Sequence, residues 1–125
     1  MKNSKKFNKV IGNDGENRAA LFLESQGYSI VERNYRIRLG EIDIIASKDN
    51  ILVFVEVKTL PGGNAEILAH ELGSVKQKRI IETAKYFLLN NRKYNDSLIR
   101  FDAVVVDLPG YPDIYHIQNV FSEFL

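Results

Sequence analysis

Two runs rich in Ile, Val and Phe, residues 41–46 and 51–57, stand on either side of Ser47-Lys48-Asp49-Asn50. This is the pattern of two antiparallel strands joined by a tight turn. A two-residue turn at Asp49-Asn50, where both residue types tolerate positive φ, sets Lys48 opposite Ile51. The same register sets Ile45 opposite Phe54, Asp43 opposite Glu56, and Glu41 opposite Lys58. Because side chains alternate along a strand, Glu41, Asp43, Glu56 and Lys58 are expected on one face of the hairpin. Ile42, Ile44, Val53, Val55 and Val57 are expected on the other.

Two carboxylates opposed across a strand pair repel each other, so a cation between them is expected. A hard divalent ion meets this need, since Mg²⁺ takes oxygen ligands, commonly one or two protein carboxylates with water and phosphate oxygens completing its shell. Lys58, one strand step beyond Glu56, is placed to orient an attacking water or to neutralise charge building on phosphate oxygens. Asp43, Glu56 and Lys58 thus form a candidate phosphodiesterase site. The commoner use of a Glu-x-Lys strand is a half-exposed face laced with weak cross-strand ion pairs. Apolar runs on both sides argue against that use here, because buried charges need a compensating partner.

A chain of 125 residues, 45% apolar and 26% charged, is expected to form one soluble domain with a sizeable core. Residues 1–11, with Lys2, Lys5, Lys6 and Lys9, read as a flexible basic arm, and residues 12–125 as the domain. The absence of cysteine excludes thiolate catalysis, disulfides and Cys-based zinc sites. No apolar run suggests a membrane span or a secretory signal, so residence in the cytoplasm and no membrane partner are the expectations. A net charge of +1 gives no global attraction to nucleic acid, so any such binding must use local basic patches.

A helix is expected from Asp14 to Gln26, closed by Gly27. Glu16 has two readings within it. Asn13 and Glu16 have the spacing of a capping box, whereas Glu16, Ala19, Ala20 and Leu23 form one helical stripe facing the sheet. Residues 28–35 alternate as a first strand near an edge. Arg36 and Arg38 follow it, near the carboxylate end of the hairpin, where they would meet phosphates or neutralise acids such as Glu41. Residues 59–73 read as a loop carrying His70, a weak candidate for proton transfer. Ser74 to Asn90 is the longest helical pattern, with Ser74 as its N-cap and Ile80, Ile81, Ala84, Phe87 and Leu88 as its apolar stripe. Lys76, Lys78 and Arg79 crowd its first turns against the helix dipole, a placement that favours a nearby anion. Leu98 to Asp107 reads as a buried strand on which Asp102 pairs with Arg100 or a lysine, and Asp113 to Ile117 as a last strand. Val120 to Leu125 is an apolar end that packs on the core or on another subunit.

The order helix, three strands, helix, strand, with Asp43 and Glu56-Val57-Lys58 on neighbouring strands, resembles the PD-(D/E)xK restriction-endonuclease-like fold. Five segments together resemble the bacterial YraN family, related in fold to archaeal Holliday junction resolvases. They are Gly12-x-x-Gly15-Glu16, Asn34-Tyr35-Arg36, Gly40 to Ala46, Val53 to Lys58, and Arg100-Phe101-Asp102, and the likeness spans residues 10–120. It implies an α/β fold, a central mixed sheet flanked by helices in the order αβββαββ. It also implies Asp43, Glu56 and Lys58 as the metal and catalytic set, with Glu16 joining them as in resolvase-like members. Ile42 stands where the superfamily name has proline, and Leu60 stands where the YraN pattern usually has arginine. The implied activity is a Mg²⁺- or Mn²⁺-dependent endonuclease on structured or branched nucleic acid, with DNA the favoured form. Arg36, Arg38, Lys76, Lys78 and Arg79 would hold phosphates, and a homodimer would suit a branched substrate. The alternative is a non-catalytic module that keeps the fold and binds nucleic acid or protein, since fold alone does not fix function.

Overall fold

The computed structural model describes the backbone of residues 2–121 and the side chains of residues 14–73 and 76–121. The side chains of the N-terminal lysines and the apolar residues 122–125 therefore lie outside the described residues. The elements run α1 (Lys2–Ser25), β1 (Ser29–Ile37), β2 (Gly40–Lys48), β3 (Ile51–Thr59), α2 (Ala65–Glu71), α3 (Ser74–Asn90), a 3₁₀ turn (Arg92–Tyr94), β4 (Leu98–Val106) and β5 (Ile114–Ile117). The strands form one sheet in the order β1-β2-β3-β4-β5, with β3 and β4 parallel and the other neighbours antiparallel. This is the mixed, helix-flanked α/β sheet expected from the sequence. A parallel pair needs a long crossover, and the segment carrying α2 and α3 supplies it.

The hairpin turn is as expected at its tip. Lys48 pairs with Ile51 and Ile45 with Phe54, and Asp49 takes the positive φ of 53°. Asn50 ties the tip to the next strand, its carbonyl accepting from the Leu98 amide at 2.8 Å. The end of α1 also follows the sequence. Gly27 adopts φ 94°, and the Tyr28 amide reaches back to the Leu23 carbonyl at 3.0 Å, the six-to-one bond of a glycine-closed helix.

Three expectations are corrected. Helix α1 begins at Lys2, so residue 13 lies inside it and no cap can form between Asn13 and Glu16. The stretch 59–73 is not loop throughout. Asn64 accepts from the Ile67 amide at 2.8 Å and starts α2, a seven-residue helix. Gly73, one residue before Ser74, is the N-cap of α3.

Each face of the sheet has its own core. Ala19, Ala20 and Leu23 of α1 pack against Ile44, Ala46, Val53, Val55, Val104 and Val106. On the other face, Ile80, Ala84 and Phe87 of α3 pack with Ile45, Phe54 and Phe101, and Phe54 meets Phe87 edge-on at 5.9 Å. Leu68 of α2 and Leu72, which closes that helix, cover Ala103, Val105 and Leu108. Helix α1 lies close on β3 because Gly15 has no side chain. A Cβ there would overlap Thr59 Oγ1.

Asp102 is the one buried carboxylate among the described residues, 1% exposed. Arg100 Nε and Nη2 donate to it at 2.9 and 2.8 Å, His116 Nε2 lies at 2.7 Å, and the Asn119 amide donates at 3.1 Å. Arg100 also bonds the Tyr28 hydroxyl, so one network joins the end of α1, β4 and β5. The expected structural pairing of Asp102 with Arg100 is present, and His116 is a strand residue, as expected. Burial pushes the Asp102 carboxyl up, but bonds from His116, Arg100 and the Asn119 amide outweigh it and hold the group below the usual range.

Two outcomes follow. Gly15→Ala lowers stability by roughly 1–3 kcal/mol through overpacking. Thr59→Ala in the same chain removes the overlap and recovers most of that loss, which a double-mutant cycle by urea unfolding measures. For Asp102, a depressed folded pKa gives stability that is complete above the unfolded value, about 3.9, and is lost as pH falls further. Asp102→Ala is expected to cost on the order of 3–5 kcal/mol at pH 7, because Arg100 is left buried without its counter-charge.

Candidate active site

The ladder between β2 and β3 runs from Lys48↔Ile51 to Ile44↔Val55 and goes no further. Asp43 and Glu56 are therefore not a directly paired cross-strand couple, nor are Glu41 and Lys58. At the point where the ladder ends, Asp43 Oδ2 accepts from the Val57 amide at 2.8 Å, so a side chain replaces a strand partner. Face alternation breaks at the same place. Ile42 packs in the α3-side core with Ile45, whereas Ile44 packs in the α1-side core. The expectation that Ile42 shares a face with Ile44 is thus corrected. Asp43 occupies the gap between the two strands.

On β3 the alternation holds. Val53, Val55 and Val57 pack towards α1 and Phe54 towards α3, which puts Glu56 and Lys58 on the α3 side. Lys58 Nζ lies 3.0 Å from Glu56 Oε1 and 3.5 Å from Glu71 Oε2. Glu71 is bound in turn by Lys76 at 2.9 Å. The second oxygen of Glu56, Oε2, is buried and has no hydrogen-bond partner.

Glu16 enters from α1. Its side chain is only 12% exposed and meets Arg33 Nη2 at 3.2 Å. Since no cap forms, the stripe reading is the one that holds, and Glu16 faces the sheet with Ala19, Ala20 and Leu23. Its charge is felt at Asp43. Burial, first, and then repulsion from Glu16, Glu56 and Glu41 push the Asp43 carboxyl up to about 6, against the opposing pull of the Val57 amide. Lys58 behaves differently. Burial pulls its ammonium down, but Glu56 and Glu71 more than offset this and hold it above its ordinary value. Lys58 is therefore a cation at neutral pH and is unsuited to be a proton acceptor.

The residues present fit a hard divalent cation. Glu56 has a buried oxygen waiting for a partner, and Asp43 is a carboxylate whose ionisation the metal-free fold penalises. Among the described residues no group of three or more His, Asp or Glu side chains is gathered into a metal cage. Two carboxylates are within the number that an ion such as Mg²⁺ takes from a protein, water completing its shell.

The structure thus brings together Asp43, Glu56, Lys58 and Glu16, with Lys76 joined through Glu71. The other basic candidates stand apart from the cluster. Arg36 and Glu41, whose carboxylate it meets at 3.2 Å, are both exposed, and so is Arg38. Lys78 and Arg79 are exposed on α3, where with Leu39 and Glu82 they line an open hollow of about 250 Å³. His70 is exposed on α2. Glu71 was not singled out from the sequence, because it fell in a stretch read as loop. Asn64, a good N-cap residue ahead of Ala65-Glu66-Ile67-Leu68, was the available signal.

This fold and charge cluster define the class: an α/β protein whose five-stranded mixed sheet is consistent with a restriction-endonuclease-like arrangement. A family model described as Uncharacterised protein family UPF0102 matches residues 15–106, a span that includes Glu16, Asp43, Glu56 and Lys58. Similar relatives include a UPF0102 protein of Treponema pallidum (strain Nichols), 45% identical over 124 residues, covering 96% of this chain and 98% of the relative. Another, from Lachnoclostridium phytofermentans, is 48% identical over 116 residues, covering 93% of this chain and 96% of the relative. The chain belongs to the UPF0102 family, the YraN family that its motifs resemble.

A raised carboxylate pKa has a definite sign. Between the unfolded value near 3.9 and the folded value of about 6, the folded state holds the extra proton, so metal-free stability falls as pH rises. Urea unfolding in a chelator is expected to show a decline on the order of 2–3 kcal/mol between about pH 4 and 6.5. Asp43→Asn should remove that decline and be the more stable protein at pH 7.

Proposed function

We propose that this protein is a Mg²⁺- or Mn²⁺-dependent endonuclease that hydrolyses phosphodiester bonds in structured or branched nucleic acid. The observation that carries this reading is the buried, unpartnered Glu56 Oε2 beside an Asp43 that resists ionisation. A module that only binds has no use for carboxylates that weaken its own fold. A divalent ion held by Asp43 and Glu56, with Glu16 adding to the negative field, would supply an activated water at neutral pH and neutralise the departing oxygen. The remaining work falls to the chain's own residues. Lys58, charged and held between Glu56 and Glu71, orients the attacking water and stabilises negative charge on the phosphate oxygens. Asp43 is held in place by the Val57 amide, so its free oxygen points consistently.

Arg36, Arg38, Lys76, Lys78 and Arg79 are exposed and supply phosphate contacts that position without reading sequence. DNA is the form that the likeness to junction resolvases favours. A homodimer presenting two sites would suit a branched substrate, and the cytoplasm would be its place of action. Among the described residues no helix is long and apolar enough to cross a membrane.

Labelled linear, flapped and four-way-junction DNA incubated with Mn²⁺ tests this directly. Wild type is expected to cut in a metal-dependent way, and Asp43→Ala and Lys58→Ala to lose roughly 10²-fold or more of that rate. Binding without cutting, or equal cutting by the variants, would replace the nuclease by a binding module on the same fold.

A further inference from the structure

Two side-chain atoms among the described residues are buried without a hydrogen-bond partner. One is Glu56 Oε2. The other is Gln77 Oε1, on α3. A buried acceptor left unmade costs about 1–3 kcal/mol, so each calls for an explanation. The orientation of the Gln77 amide is fixed by its other end, because Nε2 donates to the Leu72 carbonyl at 2.6 Å. Turning the amide over would set two acceptor oxygens against each other. Oε1 is therefore held where no donor among the described residues reaches it.

The fold places the helix turn that carries this oxygen at the Lys58 end of the candidate site. Gln77 lies three residues before Ile80 and seven before Ala84, so it continues the stripe by which α3 packs on the sheet. Strands β3 and β4 are parallel, so α3, the main element of the crossover between them, returns against the direction of β3. Phe87 on that stripe meets Phe54. Going from Phe87 back to Gln77 moves about 15 Å along the helix, at about 1.5 Å per residue. Going from Phe54 to Lys58 moves about 13 Å along the strand, at about 3.3 Å per residue. Gln77 thus comes level with Lys58, on the α3 side of the sheet and about two residues beyond Glu56 along β3. The Lys76–Glu71–Lys58 chain of ion pairs ties the same end of α3 to Lys58.

We propose that Gln77 is a positioning residue of the site, its carbonyl oxygen accepting a hydrogen bond from water that enters with the cation. This rests on the reading of Asp43 and Glu56 as cation ligands. A neutral acceptor suits the place. The site already gathers Asp43, Glu56 and Glu16, and a further carboxylate would add to a repulsion that already raises the Asp43 pKa. An amide oxygen holds a water without adding charge. Its partner nitrogen, bonded to the end of α2, couples the water's position to the helix that carries Glu71.

Titration calorimetry with Mn²⁺ alone separates this from a purely structural role. Gln77→Leu and Gln77→Glu both lose the amide donor to Leu72, but only Gln77→Glu keeps an acceptor oxygen. The expected result is Mn²⁺ affinity reduced about 10- to 100-fold in Gln77→Leu, in the range for groups that orient a metal's ligands. Gln77→Glu should bind at least as well as wild type. Gln77→Met takes the place of the leucine variant if that variant does not fold. Unchanged Mn²⁺ affinity in the apolar variant, or equal loss in both variants, overturns the role of Gln77. Asp43→Asn distinguishes the deeper failure. Wild-type binding abolished by Asp43→Asn but not by Gln77→Leu leaves the site standing without Gln77, whereas no binding by wild type overturns the site and Gln77 together.

Discussion

The parting of β2 and β3 at Asp43 is the constraint on which the functional reading depends. A strand pair that continued past Ile44↔Val55 would place Asp43 against Glu56 and let the valines close the space between them. Instead the Asp43 carboxylate takes the Val57 amide, the alternation of faces breaks between Ile42 and Ile44, and a gap opens at the end of the ladder. Helix α1 can reach that gap because Gly15 lets it lie against Thr59, and this brings Glu16 to the Asp43 side. From the other face, β3 presents Glu56 and Lys58, and Lys58 is linked through Glu71 to Lys76 at the start of α3. One local departure from regular pairing thus gathers side chains from both faces of the sheet.

The buried Asp102 and the half-buried Asp43 show opposite solutions to one electrostatic problem. Asp102 is fully compensated: a guanidinium, an imidazole and a backbone amide surround it, and it ties α1, β4 and β5 together. Asp43 has one backbone amide and a field of like charges. The first arrangement stabilises the fold, and the second weakens it in the absence of a cation. Their contrast gives Asp102 a structural part and supports the proposal that Asp43 belongs to a site, on grounds that do not depend on resemblance.

Much of this was legible in the chain itself. The hairpin tip was fixed by Asp49-Asn50 between two apolar runs, and the paired segment has the register those residues imply. The α3 stripe and the Gly27 closure of α1 were readable because periodicity and glycine act locally. The end of the β2–β3 ladder was not, because alternating side chains predict a regular strand and carry no sign of where pairing stops. Helix α2 was hidden by Pro61-Gly62-Gly63, which reads as loop, and with it Glu71. Gln77 was invisible for a different reason. A single polar residue in an apolar stripe looks like its exposed edge until the burial of its oxygen is known.

Asp43 and Glu56 are proposed as the ligands of a divalent ion. Crystals grown with Mn²⁺ test this most directly, through anomalous scattering at the manganese edge. A peak is expected between Asp43 and Glu56 Oε2, with that oxygen at a metal–ligand distance of about 2.0–2.3 Å. No peak there, with Glu56 Oε2 bonded to an internal water in its place, would contradict it.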